Sequence, residues 1–141
     1  MTLQGGFPYS VRMATNTVNT GERTTLFPDL VGENHGNLPE SERTVQRYFD
    51  LPSFAAPAQY RYGTAGRNIL IGDGTSNVDF SLLKNFRLRE SSLIQFRFEM
   101  FNAFNHPTFG FPASSIDVAT AGQVTSASTA RQLQFGLKVL F

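Results

Sequence analysis

Cysteine is absent from the sequence, so neither a disulfide framework nor a thiolate metal site is available to it. Tryptophan is absent too, and the only histidines, His35 and His106, each stand alone among Gly, Asn or Pro. Two scattered imidazoles make no metal site, and His106 followed by Pro107 reads as a strand-exit turn. No apolar stretch approaches the roughly 18 residues of a membrane-spanning helix. The opening residues, MTLQGGFPYS, lack the basic patch and apolar run of a signal peptide. Charge is scarce as well: charged residues are 16% of the chain, against about 25% in ordinary soluble domains. With 12 Lys+Arg against 11 Asp+Glu the net charge is +1. That balance argues against nucleic acid or another polyanion as partner.

What is plentiful is phenylalanine, with 14 Phe and 4 Tyr in 141 residues, punctuated by 12 Gly and 7 Pro. The mixture suits short strands and long loops. From Arg131 to Phe141 the odd positions are Leu133, Phe135, Leu137, Val139 and Phe141 after Arg131, while the even ones include Gln132, Gln134, Gly136 and Lys138. Successive strand side chains point to opposite faces, so one face is apolar and the other polar or small. Asn77–Leu88 repeats the pattern, with Val78, Phe80, Leu82, Phe86 and Leu88 on one face, broken by Lys84. In Leu93–Asn105 the apolar face is Ile94, Phe96, Phe98, Met100 and Phe104. A weaker case opens the chain, where Phe7, Tyr9, Val11 and Met13 alternate with Ser10, Arg12 and Ala14. Glu42–Asp50 has room for a short turn of helix.

A soluble antiparallel sheet with one wet face shows the same alternation. Length, connectors and terminus favour a membrane. Eleven residues at ~3.3 Å each, tilted by ~45°, climb about 25 Å, the height of the apolar band of a membrane barrel. The connectors run long, short, long: about 17–75, then Arg89–Ser92, then about 105–130. Outer-membrane barrels have short periplasmic turns and long extracellular loops. With Arg89–Ser92 periplasmic, Phe7, Tyr9, Phe86 and Phe141 fall at the inner rim and Phe104 at the outer, as aromatic girdles. Phe141 is in register with an apolar face and resembles the signal read by the barrel-assembly machinery. The expected fold is all-β: an antiparallel transmembrane β-barrel segment with strands over about 7–16, 76–88, 93–104 and 131–141.

The stretch GRNILIGDGTSNVDFSLLKNF (Gly66–Phe86) resembles the late-strand region of Oar-like TonB-dependent transporters. IQFRFEMFNAFNHPTFG (Ile94–Gly110) is similar to that family's penultimate strand and exit, and ARQLQFGLKVLF to its last strand. RTVQRYFDLPSFAAP (Arg43–Pro57) resembles the preceding extracellular loop, so the likeness covers roughly residues 30–141. It implies the last four strands of a barrel of about 22, with a plug and a TonB-box segment that this chain does not contain. It also implies partners: outer-membrane lipid, the rest of the barrel and its plug, the assembly machinery, and the TonB system through the missing N-terminal part. Transport would belong to the whole protein.

On this reading Val78, Phe80, Leu82, Ile94, Phe96, Phe98, Met100, Leu133, Phe135, Leu137 and Val139 face lipid. Asp79, Arg87, Arg97 and Glu99 face the lumen, where opposite charges on adjacent strands pair across the ladder. No cofactor, metal or catalytic residue is expected. Asp73–Asn77 lacks the acidic spacing of a calcium loop and reads as a turn, and Ser81 with Asp79 has no histidine to complete a triad. Tyr48, Phe49, Phe54, Tyr60 and Tyr62 are loop aromatics that pack the loop or meet an external ligand. Two alternatives stay open: a membrane anchor that closes by trimerisation, and a soluble β-sheet binding or structural domain.

Overall fold

The computed structural model describes residues 1–19, 25–89 and 92–141. In chain order the strands are β1 (Thr2–Gln4), β2 (Pro8–Tyr9), β3 (Asp29–Leu30), β4 (Phe54–Ala55), β5 (Leu70–Ile71), β6 (Thr75–Asn77), β7 (Phe80–Arg89), β8 (Ser92–Phe101) and β9 (Gln132–Leu140). Three short 3-10 turns are the only helical elements among the described residues. No helix there is long and apolar enough to cross a membrane. The chain divides into two compact units. One comprises Met1–Gln4, Thr75–Thr108 and Ser128–Phe141; the other comprises Gly5–Gly74 and Phe109–Ala127.

In the first unit β7, β8 and β9 form an antiparallel sheet in that order. Neither proline nor glycine interrupts β7 or β8, and bulky apolar residues recur at every second position except Lys84, which suits a pleated surface. Ten residues at ~3.3 Å, tilted by ~45°, rise about 23 Å. Asn102 ends β8 by turning to φ 50°, a left-handed conformation that asparagine tolerates better than most residues. β1 pairs with β6 in the same unit.

The two long connections are closed at their bases. The chain leaves at Gln4 and returns at its ladder partner Thr75. It leaves again after Phe101 and returns at that residue's partner, Gln132.

The second unit has its own core of Val11, Phe49, Phe54, Ala65 and Leu70, with Tyr9, Phe27, Leu30, Leu51, Ile69 and Ile116 packed against it. Phe49 meets Phe54 edge-on at 5.8 Å. The short pairs β2–β5 and β3–β4 brace it. Gly36 takes φ +76° directly under the Phe54 ring, where any Cβ would collide with the ring carbons. The Asp117 carboxylate accepts the Ala14 and Thr15 N–H groups at 2.7 and 2.6 Å, tying the start of this unit to its second segment.

These facts correct several boundaries. The strand expected over about 7–16 is absent: only Pro8–Tyr9 is strand, and Val11 and Met13 are buried in the second unit. Their alternation arises from extended chain with one side against a loop core. Phe7 and Tyr9 belong to the second unit, where Tyr9 lies against Phe111 at 5.5 Å. The strand expected over 76–88 is two pieces, β6 and β7, and the presumed turn at Asp73–Asn77 is strand from Thr75. The described residues of 17–75 supply most of a buried core, against which Ile116 of 105–130 packs. At Glu42–Asp50 the helical turn sits earlier, at Glu40–Glu42, because Thr44 and Arg47 close a tight turn through reciprocal backbone bonds of 3.0 and 3.1 Å.

Candidate functional site

Directly paired residues of an antiparallel ladder share a face, so register converts the alternation of single strands into a surface. Phe80 pairs with Met100 and Met100 with Leu133; Leu82 pairs with Phe98 and Phe98 with Phe135. Phe96 pairs with Leu137, and Phe86 with Ile94, whose other partner is Val139. Every strand residue expected to face lipid therefore lies on one side of one sheet, except Val78, which precedes β7. Phe98 and Phe135 stack at 5.0 Å, with Phe80 and Phe96 leaning on them at 6.3 and 6.4 Å. The outer strands leave this surface bare, with Phe135 67% and Leu137 70% exposed. A contiguous apolar surface of this kind marks an interface with lipid or protein.

The reverse face carries Ser81, Asn85, Arg87, Gln95, Arg97, Glu99, Gln132, Gln134, Gly136 and Lys138, with Leu83, Leu93, Phe101 and Leu140 among them. Arg97 Nη1 lies 3.8 Å from Glu99 Oε1, so the ion pair runs along β8 instead of across the ladder. The cross-ladder contact is Gln95 Nε2 donating to Asn85 Oδ1 at 3.0 Å.

Asp79, expected on this face with Arg87, Arg97 and Glu99, is drawn into the exit of β8. Its Oδ1 accepts the Asn102 N–H at 2.9 Å and the Asn77 side chain at 3.1 Å. Asn102 Oδ1 accepts the His106 N–H at 2.9 Å, and its Nδ2 donates to the His106 and Thr129 carbonyls, each at 3.2 Å. Asn105, at φ 51°, accepts the Arg131 N–H at 3.0 Å, just before β9. Asn102 and Asn105 thus organise the Phe-Asn-x-Phe-Asn-His-Pro segment. Their tolerance of positive φ was the available sequence signal. A cavity of about 360 Å³ opens beside this turn, lined by Thr75, Asn77, Asp79, Asn102, His106 and Ser128 among others.

In the second unit Tyr48, Phe49 and Phe54 are buried, whereas Tyr60 and Tyr62 are 65% and 63% exposed. The Tyr48 hydroxyl donates to Asp73 Oδ1 at 2.5 Å, and Arg43 stacks on its ring at 5.4 Å. Burial, then the bond to Asp73, pushes the Tyr48 hydroxyl up to about 12. Burial also raises Tyr9. Bonds from the Ser53 hydroxyl and then Arg47 hold Asp50 below the usual carboxylate range. Burial opposes ionisation of Asp117, but the Ala14 and Thr15 N–H bonds outweigh it and its carboxyl is also held low. His35 and His106 are both exposed, and no metal-ligating cluster exists among the described residues. Phe141 lies just past β9, fully exposed.

A family model described as an outer membrane beta barrel domain matches residues 1–134 of the chain. No curated protein and no solved structure matches it.

Proposed function

The chain belongs to the outer membrane beta barrel domain family, and on that premise we propose that it is barrel wall from an Oar-like TonB-dependent transporter that takes up a solute. Family membership carries an outer-membrane location with it. In this reading β7, β8 and β9 are the last strands of a closed cylinder of about 22, because open strand edges are untenable in lipid. The Arg89 end of β7 and the Ser92 end of β8 lie on the periplasmic side. Its partners are lipid, the remaining barrel and plug, the assembly machinery and, through the upstream part of the protein, TonB. The chain has no catalytic role and does not transport alone.

The observation that carries this reading is the apolar face, continuous across three paired strands and backed by a largely polar reverse. Strands of 10, 10 and 9 residues suit the membrane band. A trimeric anchor fits less well, since folded excursions with their own core exceed the compact connections such an anchor uses.

The sequence contains no cysteine, so single cysteines report cleanly. In intact outer membranes a water-soluble maleimide should label Gln95→Cys from the lumen and leave Phe96→Cys unlabelled. Equal labelling of the two would remove the barrel-wall reading. Solute uptake by the full-length protein should cease when TonB is deleted, and uptake that continues without it would refute the transporter assignment.

A further inference from the structure

One cation interrupts the apolar face, and a bulge delivers a second. Lys84 is paired with Phe96 in the middle of β7, on the side of Leu82, Phe86 and Phe98. Its ammonium lies 6.0 Å from the centre of the ring of Phe86, the next residue of this face toward Arg89. The ladder then slips: Arg87 pairs with Leu93, but Arg89 pairs with Ser92. In an unbroken strand Arg89 would share the polar face with Arg87. The extra residue, Leu88, re-aims it. Because ladder partners share a face, Arg89 joins Ser92 on the side of Ile94 and Phe96. On the apolar side the Arg89–Ser92 pair thus closes the ladder next to the Phe86–Ile94–Val139 row, and Lys84 stands in the row on the other side of it. Among the described residues no carboxylate pairs with either cation, whereas Arg97 on the reverse face has Glu99.

We propose that this corner binds a membrane phospholipid whose headgroup carries net negative charge, with Lys84 and Arg89 holding the headgroup while its acyl chains lie along Phe86, Ile94, Phe96 and Val139. The occupant follows from complementarity: a bare apolar surface with two cations that have no carboxylate partner among the described residues matches a molecule with an anionic head and an apolar tail. Lysine and arginine stems lie along apolar surface while their heads reach the polar boundary, and Lys84 leans that way over Phe86. The inference rests on the lipid-facing reading of this surface.

Since the chain has no tryptophan, Phe86→Trp places a single fluorophore at the corner. The full-length barrel carrying it, with any tryptophan outside this chain replaced by phenylalanine, is reconstituted in phosphatidylcholine vesicles containing brominated phosphatidylcholine or brominated phosphatidylglycerol. Each cation near an anionic headgroup contributes about a fivefold preference, so the phosphatidylglycerol analogue should quench with about 25-fold higher apparent affinity. In the same background Lys84→Gln with Arg89→Gln should abolish the preference, and Lys138→Gln, on the reverse face, should leave it intact. Equal quenching by both lipids, or equal loss with Lys138→Gln, would overturn the headgroup site while leaving the face in lipid. No quenching by either lipid would overturn the lipid-facing reading itself, and this inference with it.

Discussion

The two units put the same kinds of residue to opposite uses. In the second, Val11, Phe49 and Leu70 are at most 2% exposed, and polar groups close the chain around them. In the first, Leu133, Phe135, Leu137 and Val139 are each more than half exposed on one face of a three-stranded sheet. A unit that buries its own hydrophobes satisfies the hydrophobic effect internally. A sheet that displays them depends on an apolar phase supplied from outside.

The sharpest way to break this contrast is Phe49→Ala. Truncating a fully buried aromatic should cost the second unit about 3–5 kcal/mol, read as lost hydrogen-exchange protection in residues 25–74, with β7–β9 amides unchanged. Equal loss in both would mean that they do not unfold separately. Next is a charge on either side of the sheet. Phe98→Arg should cost about 2–4 kcal/mol in lipid vesicles, whereas Gln95→Arg should cost less than about 0.5 kcal/mol, both measured as shifts in urea midpoint. Similar costs would show that the sheet has no lipid side.

Asn102→Ala removes the hydrogen-bonding side chain and disfavours positive φ, so a loss of about 1–3 kcal/mol is expected. Asn102→Gly restores the backbone freedom alone and should recover part of it in the same unfolding assay.

The smallest effect concerns Asp117. Its folded carboxyl titrates below its unfolded value, so its contribution is present above the unfolded value of about 3.9 and fades as pH falls through the lower folded value. At neutral pH Asp117→Asn should cost about 1 kcal/mol, and the gap to wild type should close below pH ~4. A gap that persisted in acid would deny the carboxylate that role.

The three long strands were legible because alternation is local: Phe80–Arg89, Ser92–Phe101 and Gln132–Leu140 each carry their face within ten residues. The side on which Phe96 and Leu137 lie followed from the same period. The segment at 7–16 misled for the same reason, since Val11 and Met13 obey period two while packing into a loop core. That core was hidden because its ties are distant in sequence, as between Asp117 and Ala14, 103 positions apart. The bulge that turns Arg89 toward the apolar side leaves no mark in the residue pattern. Asn102 was readable as a turn former, but not its bond to Asp79, 23 positions earlier.

The closed bases of the two excursions bear on how such a protein changes over evolutionary time. Gln4 and Thr75 face each other in the ladder, as do Phe101 and Gln132, and partners of this kind lie about 5 Å apart between Cα atoms. Whatever is spliced between such anchors can lengthen, shrink or be exchanged without shifting the strands by a single residue. Insertions and wall strands are thereby free to diverge at different speeds, the insertions as interchangeable cassettes and the strands held to their alternation.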